Sequence, residues 1–263
     1  MKYVVVTGAY GGMGYAAVQS LKNNGYFVFA LDRKVRDAED GVMPIEVDLT
    51  DADAVASAYG KVKEVTNDLY AIVHFAGIYN LDSLVEMSEE SFKRIFDINV
   101  FAAYRVNRTF LPLMKKGSRI VITTSELAPL DPLPFTGIYA VTKSALDKYA
   151  YSLRMEVQLL GISVTVLRPG AVDTGMLGVS IAALDRFCEN TELYACNARR
   201  FKKIVESVEA KSVKAEKIGA RTVKILNAKR PKLVYRVNRN PLLLLLNILP
   251  KRLATFIIKM ILK

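Results

Sequence analysis

The feature that most constrains the fold is a succession of seven short apolar runs separated by segments of helical character. Because the runs are apolar throughout rather than alternating, each is expected to be a strand buried on both faces, as in a parallel sheet covered by helices. Right-handed crossovers then predict an α/β fold, a doubly wound (Rossmann), mostly parallel seven-stranded sheet with helices on both faces. The runs lie at 3–8, 26–32, 43–50, 69–77, 118–125, 162–170 and 232–237.

The intervening segments predict helices at 12–25, from about 51, at 88–117 and at 137–160. Thr50 or Asp51 can cap the second of these helices, and Ser88 can cap the third. The 263 residues suit one large domain over 1–237, followed by an apolar and basic helical extension over 238–263.

A glycine turn, "TGAYGGMG" at residues 7–14, directly follows the first predicted strand. Gly8, Gly12 and Gly14 carry no side chain where a pyrophosphate would have to approach backbone N–H groups and the positive end of the next helix. The spacing is G-x-x-x-G-x-G. Its place between a strand and a helix predicts a dinucleotide site at the carboxyl edge of the sheet.

Asp32 ends the second strand, where its carboxylate can accept hydrogen bonds from the ribose hydroxyls of an adenosine. The same charge would repel a 2′-phosphate, and Gly11 supplies no cation in the turn, so NAD is favoured over NADP. Three nearby cations, Arg33, Lys34 and Arg36, leave NADP open.

Several motifs occur in one order along residues 2–237. They are T-G-x-x-x-G-x-G at 7–14, Asp48 in "VDLT", "HFAG" at 74–77, Asn99, Ser125, Tyr139 four residues before Lys143, and "RPGAVDT" at 168–174. In this set the chain resembles the short-chain dehydrogenase/reductase family, in its short, non-extended branch.

The resemblance implies an NAD(P)-dependent oxidoreductase acting on CH–OH groups, with no metal. It implies that Asp48 bonds the adenine amino group, that Asn99 holds a water linking Lys143 to solvent, and that Ser125 orients the substrate oxygen. The implied catalytic residues are Asn99, Ser125, Tyr139 and Lys143. The implied cofactor-binding residues are Thr7, Gly8, Tyr10, Gly11, Gly12, Met13, Gly14, Asp32, Arg33, Asp48, Leu49, Ala76, Gly77, Tyr139, Lys143, Pro169, Gly170, Val172 and Thr174.

Tyr139 and Lys143 lie one helical turn apart on the same face. A tyrosine of ordinary pKa, about 10, is a poor base at neutral pH. The Lys143 ammonium and an oxidised nicotinamide ring are both positive, so we expect them to lower the pKa of Tyr139, by about three units or about 4 kcal/mol. Tyr139 would then exchange a proton with the substrate hydroxyl.

The sequence departs from the family at two places. The usual N-N-A-G is His74-Phe75-Ala76-Gly77 here, and we interpret His74, the single histidine, as a buried and hydrogen-bonded strand residue. The 14-residue separation of Ser125 from Tyr139 is about one longer than the family's, which leaves Thr124 open as the hydroxyl partner.

A substrate lid is implied over about 174–230. Its apolar residues predict a hydrophobic small-molecule substrate, such as a steroid, a retinoid or a lipid-derived alcohol or ketone, although about half of them can equally be helix core. They are Met176, Leu177, Val179, Ile181, Leu184 and Phe187. The resemblance also implies a homodimer or homotetramer built through the long helices.

The net charge of +11 is concentrated in residues 199–263, which hold 18 Lys and Arg and 3 acidic residues. The apolar run from 240 is broken by Asn247 and by Pro250-Lys251-Arg252, so a bilayer-crossing helix is not expected. Two alternatives stay open for this extension: an interfacial element on an anionic membrane, or a segment packed over the substrate pocket or a partner subunit. No stacking pattern of aromatic and basic residues favours nucleic acid.

The chain shows no signal-peptide pattern, so a cytoplasmic location is expected, with peripheral membrane contact as an extension of it. Cys188 and Cys196 are interpreted as reduced thiols. Two other functions remain alternatives: a non-catalytic dinucleotide-binding or membrane-scaffolding protein, and a nucleotide-sugar epimerase or dehydratase.

Overall fold

A computed structural model describes the backbone of residues 1–209 and 212–263, and the side chains of these residues except 175–181 and 207–209. At its centre is a seven-stranded sheet in the order β3-β2-β1-β4-β5-β6-β9. All six neighbouring pairs are parallel, so the predicted doubly wound sheet is confirmed. The order reverses beside β1, which places the crevice between the carboxyl ends of β1 and β4.

The strands of this sheet are β1 (Lys2–Thr7), β2 (Tyr26–Asp32), β3 (Val42–Glu46), β4 (Leu69–His74), β5 (Met114–Thr123), β6 (Ser163–Pro169) and β9 (Val234–Val237); β7 (Val172–Asp173) and β8 (Val213–Lys214) pair separately. The α-helices are α1 (Gly12–Lys22), α2 (Ala52–Val65), α3 (Glu89–Phe96), α4 (Ala102–Phe110), α5 (Gly137–Val157), α6 (Gly175–Asn190), α7 (Ala195–Glu209), α8 (Glu216–Asn227), α9 (Pro241–Ile248) and α10 (Lys251–Leu262).

The prediction of one helix over 88–117 is wrong in two respects. A π-helical turn, Asp97–Phe101, separates α3 from α4, and β5 already begins at Met114. Between α4 and β5 lies a short 3₁₀ turn containing Pro112. Proline lacks the N–H that would continue the α-helical ladder, so the helix ends there.

The predicted helix caps form. Asp51, not Thr50, caps α2 by accepting the N–H groups of Asp53 and Ala54. Ser88 caps α3 by accepting the N–H of Ser91 at 3.2 Å. These bonds satisfy backbone donors that a helix leaves unpaired at its start.

Apolar side chains fill both faces of the sheet. One buried cluster joins the sheet to α2, α4 and α5, and the other joins it to α1 and α8. Helix α8 falls within the interval predicted as lid, yet it packs against α1, where Gly219 lets the two backbones approach closely. Among the side chains of that interval that the structure describes, those of α6 and α7 belong to neither sheet cluster.

The C-terminal tail (residues 238–263) forms α9 and α10 with Leu249 and Pro250 between them. Leu262 of α10 is buried in a small cluster with Leu184 and Phe201 of α6 and α7. Over the part of the chain that the structure describes, no helix combines the length and apolarity needed to cross a bilayer.

Candidate active site

Two adjoining cavities occupy the carboxyl edge of the sheet. The nucleotide groove, about 1100 Å³, runs along the glycine turn and the ends of β2 and β3. The substrate cavity, about 510 Å³, lies between β5, β6, the start of α5 and the C-terminal tail. Met13, Gly77 and Thr174 line both cavities, so a ligand in one can reach a ligand in the other.

The glycine turn is folded so tightly that side chains are sterically excluded. Gly8 has φ +64°, and a Cβ there would lie 2.6 Å from the backbone N of Ala76. A Cβ on Gly14 would lie 1.9 Å from the carbonyl oxygen of Gly8, and one on Gly12 would lie 2.5 Å from Cβ of Thr174. Gly11 caps α1 without a side-chain bond, so the positive end of the helix faces the groove.

Asp32 is fixed where β2 ends. Its two carboxylate oxygens accept the backbone N–H groups of Tyr10 at 2.9 Å and Arg33 at 2.8 Å. Arg36, one of the three nearby cations, lies over the ring of Tyr15 at 4.1 Å. Arg33 and Lys34 both line the groove.

Asp48 lies at the far end of the same groove. The hydroxyl and the N–H of Thr50 donate to one of its carboxylate oxygens, at 2.7 and 2.9 Å. These bonds, with Arg33 and Arg105 nearby, lower the pKa of Asp48, so it is an anion at neutral pH.

Ser125 and Tyr139 both line the substrate cavity. The Ser125 hydroxyl lies close enough to the Tyr139 phenol to oppose the rise in its pKa. Lys143 lies 5.6 Å from the centroid of the Tyr139 ring and is buried. The alternative partner, Thr124, donates instead to Asp147 at 3.4 Å, so Ser125 is the residue that contacts Tyr139.

The expected lowering of the Tyr139 pKa is not produced by the chain itself. Burial raises the pKa of Tyr139 to about 12, against the opposing effect of the Ser125 hydrogen bond. Burial also lowers the pKa of Lys143 to about 8. Removing both groups from water disfavours their charged forms, so at neutral pH Tyr139 is a phenol and a proton donor.

Asn99 lies in the middle of the π-helical turn and is buried. Its amide accepts the N–H of Ile78 at 2.8 Å and donates to the carbonyl of Ile78 at 3.0 Å and to the hydroxyl of Thr142 at 3.1 Å. It therefore ties the segment after β4 to the helix that carries Tyr139. Its implied water-holding role stays a prediction.

Gly77 lines the nucleotide groove and lies next to Asn99 and Lys143. A Cβ at Gly77 would lie 3.2 Å from both Lys143 Nζ and Asn99 Oδ1. The bare backbone therefore leaves room for the lysine amine, and a larger residue would force it to move.

His74 is buried at the end of β4, as its sequence context indicates. Its Nε2 is 2.9 Å from Asn107 Oδ1 and its Nδ1 is 3.5 Å from Thr7 Oγ1. Asn107 in turn donates to the hydroxyl of Tyr149 at 3.1 Å. Burial lowers the pKa of His74 to about 4, so the imidazole is neutral and structural.

Nearly all of the implied cofactor-binding residues line one of the two cavities. The exception is Thr7, which is fully buried behind the groove and contacts His74. In the nucleotide groove are Gly8, Tyr10, Gly11, Gly12, Met13, Gly14, Asp32, Arg33, Asp48, Leu49, Ala76, Gly77 and Thr174. In the substrate cavity are Tyr139, Lys143, Pro169, Gly170 and Val172.

The apolar wall of the substrate cavity comes partly from the predicted lid interval, through α7, and partly from the C-terminal tail. Leu184 and Phe187 are buried in the core and do not line it, while the side chains of Met176, Leu177, Val179 and Ile181 lie outside the described residues. The wall is formed by Leu133, Phe201, Ile204, Val205, Leu243, Leu246, Ile258 and Leu262. The tail therefore packs over the pocket, while its contact with a membrane or a partner subunit stays a prediction.

Two lining residues had no signal in the sequence. The ring of Tyr79 meets that of Tyr139 edge-on, with centroids 4.6 Å apart. Glu126 follows Ser125 and accepts the backbone N–H of Asn240 at 2.7 Å, which joins the loop after β5 to the tail. Burial raises the pKa of Glu126, an effect that the Asn240 bond opposes.

The residues present fit a nicotinamide dinucleotide. The glycine turn has no room for a Cβ, a fixed carboxylate stands at the end of β2, and the groove leads to a tyrosine hydroxyl. Among the side chains that the structure describes, no group of three or more His, Cys, Asp and Glu is arranged to hold a metal ion.

Comparison with known proteins gives consistent matches. A family model described as short chain dehydrogenase matches residues 2–184. The chain is 31% identical over 191 residues to estradiol 17-beta-dehydrogenase 2 of Mus musculus, covering 67% of this chain and 50% of that protein, so it spans half of the relative's length.

It is 27% identical over 240 residues to 3-ketodihydrosphingosine reductase of Bacteroides thetaiotaomicron, covering 91% of this chain and 88% of that one. Among solved structures, a short-chain dehydrogenase from Streptomyces avermitilis has a TM-score of 0.77 at 23% identity, covering 90% of this chain and 88% of that one. At that identity the structural likeness supports the fold alone.

Proposed function

Because the chain belongs to the short-chain dehydrogenase family, a family of oxidoreductases as the motifs implied, we propose that it transfers a hydride between a nicotinamide dinucleotide and a hydrophobic secondary alcohol or ketone. One observation carries the proposal: Ser125, Tyr139 and Lys143 all line the apolar cavity that adjoins the glycine-lined groove.

The chain's own groups supply proton transfer and positioning. A bound nicotinamide supplies or accepts the hydride. The Tyr139 hydroxyl, a phenol at neutral pH, can donate its proton to a carbonyl oxygen held beside it, and Ser125 can hold that oxygen by a second hydrogen bond. Lys143, with a pKa of about 8, changes charge close to physiological pH and so can pass a proton to or from this pair.

Protonated Tyr139 suits the reduction of a ketone, because the phenol is the acid in that direction. Oxidation of an alcohol needs the phenolate, which burial disfavours. Added positive charge next to the phenol would favour the phenolate, and raised pH would do so as well.

Shape and lining favour a hydrophobic substrate. A cavity of about 510 Å³ lies in the range of small-molecule sites, and aliphatic and aromatic side chains form most of its wall. The relatives named above are a dehydrogenase of estradiol and a reductase of 3-ketodihydrosphingosine. A steroid-like or long-chain lipid ketone is the substrate class that fits both the cavity and these relatives.

For the cofactor we propose NAD. The Asp32 carboxylate accepts two backbone N–H groups and lines the groove. Its negative charge favours the ribose hydroxyls of NAD over the 2′-phosphate of NADP. Arg36 is engaged by the Tyr15 ring, which leaves Arg33 and Lys34 as the cations available to a 2′-phosphate.

Self-association through α4 and α5 is proposed on their exposed apolar residues. Phe101 and Tyr104 near the start of α4, and Val141, Tyr151 and Met155 on α5, are each more than 40% exposed. Exposed apolar side chains on helices are typical of surfaces that make protein–protein contacts.

The test is turnover by wild type and by Tyr139→Phe, with NAD(H) and NADP(H), on a panel of hydroxysteroids, retinol and secondary alcohols with the matching ketones. We expect turnover to prefer NAD(H) and to fall by about 10²- to 10⁴-fold in the variant, the usual contribution of a positioned acid or base. Nucleotide affinity, measured by fluorescence titration, should not change.

The matched control is Tyr59→Phe, which removes a phenol hydroxyl from α2, outside the lining of both cavities. It should keep wild-type turnover. Full activity in Tyr139→Phe would remove Tyr139 from the reaction. No turnover by wild type on any substrate of the panel would leave a dinucleotide-binding protein as the better description.

A further inference from the structure

The C-terminal tail has two apolar faces, and only one of them is covered. Leu243, Leu246 and Ile258 face inward and line the substrate cavity. On the outside, Ile248 is 78% exposed, and Phe256 and Met260 are each 59% exposed. A segment this apolar would not keep its outer face in water without a partner.

The outer face is held in place by polar contacts from the tail to the rest of the molecule. Glu126 accepts the N–H of Asn240 at 2.7 Å, and Asn247 accepts the N–H of Asp131 at 2.7 Å. At the far end Asn197 donates to the carbonyl of Leu262 at 2.6 Å. The exposed side chains therefore belong to a fixed surface of the fold.

Charge decides which partner fits this surface. Residues 238–263 carry five cations and no acidic residue; the cations are Arg239, Lys251, Arg252, Lys259 and Lys263. A second copy of the chain, docked face to face, would set these cations against one another. An anionic lipid surface pairs them with phosphate and carboxylate groups and also takes up the apolar side chains.

The lining of the substrate cavity reaches the protein surface at the tail, and we call this opening the mouth of the cavity. Leu242 and Ile261 line the cavity, and they are also 67% and 53% exposed. A hydrophobic molecule entering between them would pass from the outer face of the tail to Tyr139 along an apolar wall.

We propose that the outer face of the C-terminal tail docks on an anionic membrane surface, with α9 and α10 lying in the interface and the cavity mouth turned toward the lipid. Neither helix is long enough to cross the bilayer, so contact is peripheral. The docking itself does not depend on the proposed reaction; only the idea that substrate enters from the lipid rests on it.

The test is flotation of the full chain with vesicles of phosphatidylcholine alone and of phosphatidylcholine with phosphatidylserine. We expect flotation with the anionic vesicles, falling as salt is raised, because screening weakens the cation contacts. In Phe256→Gln/Met260→Gln the floated fraction should fall by about tenfold, with the thermal unfolding midpoint unchanged because both side chains point outward.

The matched control is Leu159→Gln, which removes an apolar side chain that is 85% exposed on another part of the surface. It should float like wild type. Failure of wild type to float, equal loss in Leu159→Gln, or full flotation of the tail variant would each overturn the proposal. A change of sedimentation in the tail variant without a change of flotation would make this face a contact between copies, which also overturns it. Flotation does not require turnover, so its outcome is independent of whether the proposed reaction takes place.

Discussion

The nucleotide groove and the substrate cavity lie at the same edge of one sheet, yet they are built in different ways. The groove takes its shape from backbone: a Cβ on Gly8, Gly12 or Gly14 would lie within 3 Å of other atoms. The cavity takes its shape from side chains of α5, α7 and the C-terminal tail. Backbone geometry tolerates no added atoms, whereas a side-chain wall can be reshaped residue by residue. A substitution in the groove should therefore cause a large loss of nucleotide affinity. A substitution in the cavity wall should cause only a modest change in KM for the substrate.

The largest effect should come from Gly14→Ala in the groove. The added Cβ would lie 1.9 Å from the carbonyl oxygen of Gly8, so the turn must open. We expect nucleotide affinity to fall about a thousandfold, near 4 kcal/mol, as measured by fluorescence titration.

The control for that substitution is Gly60→Ala in α2, where nothing lies within 4 Å of the added Cβ. It should leave nucleotide affinity alone and stabilise the fold by about 0.5–1 kcal/mol, since alanine favours a helix over glycine. Tight nucleotide binding by Gly14→Ala would show that the turn is adaptable and would remove the contrast between the two regions.

A smaller effect is expected from protonation of His74, which lies behind the groove. The folded state holds this imidazole neutral, with a pKa of about 4 against an ordinary value of 6.5. Below about pH 6.5 the His74 imidazole binds a proton in the unfolded chain but stays neutral in the folded one. The free energy of unfolding is therefore intact above pH 6.5 and should fall by about 3 kcal/mol as the pH drops toward 4.

Denaturant unfolding of wild type and His74→Asn at several pH values between 7 and 4 measures this contribution. The variant lacks the titrating ring, so its stability should decline less steeply over that interval, whatever its value at pH 7. Parallel profiles would mean that His74 is as easily protonated in the fold as outside it.

The smallest effect is expected in the cavity, from Leu246→Ala. This half-buried side chain lines the wall and lies at the surface of the tail, so its loss enlarges the cavity without disturbing the sheet. We expect KM for a hydrophobic substrate to rise by about five- to tenfold, roughly 1 kcal/mol, with nucleotide affinity unchanged. A change in nucleotide affinity in steady-state or titration measurements would show that the two regions are not separable.

Sequence reasoning was most successful where physical rules are local. Strand runs, helix caps and the glycine turn depend on neighbours in the chain, so the parallel sheet and the lining of the groove were predictable. Asp51 and Ser88 form their caps as expected, and His74 is buried and hydrogen-bonded. The helix ends before β5 because Pro112 has no N–H to continue the α-helical hydrogen bonding, while the apolar pattern around it is the same as that of a helix.

What was not predictable depends on tertiary packing. Nothing local distinguishes Leu184 in the core from Leu243 in the cavity wall, since both are leucines among other apolar residues of a helix. The pKa of Tyr139 was expected to fall because its charged neighbour is visible in the sequence, while the burial that raises it to about 12 is not. Glu126 carries no motif, and its bond to Asn240 spans 114 positions of the chain.

Helix α5 presents its first turn to the reaction and its outer side to solvent. Tyr139 lies in the first turn of α5, and the exposed Val141, Tyr151 and Met155 are distributed along the rest of the helix. Asn99 links α5 to the segment after β4, because its amide bonds both Thr142 and Ile78. A molecule that binds the exposed side of α5 can therefore shift the Tyr139 hydroxyl by moving the helix. A displacement of about 1 Å of a reacting group is enough to change a rate about a hundredfold.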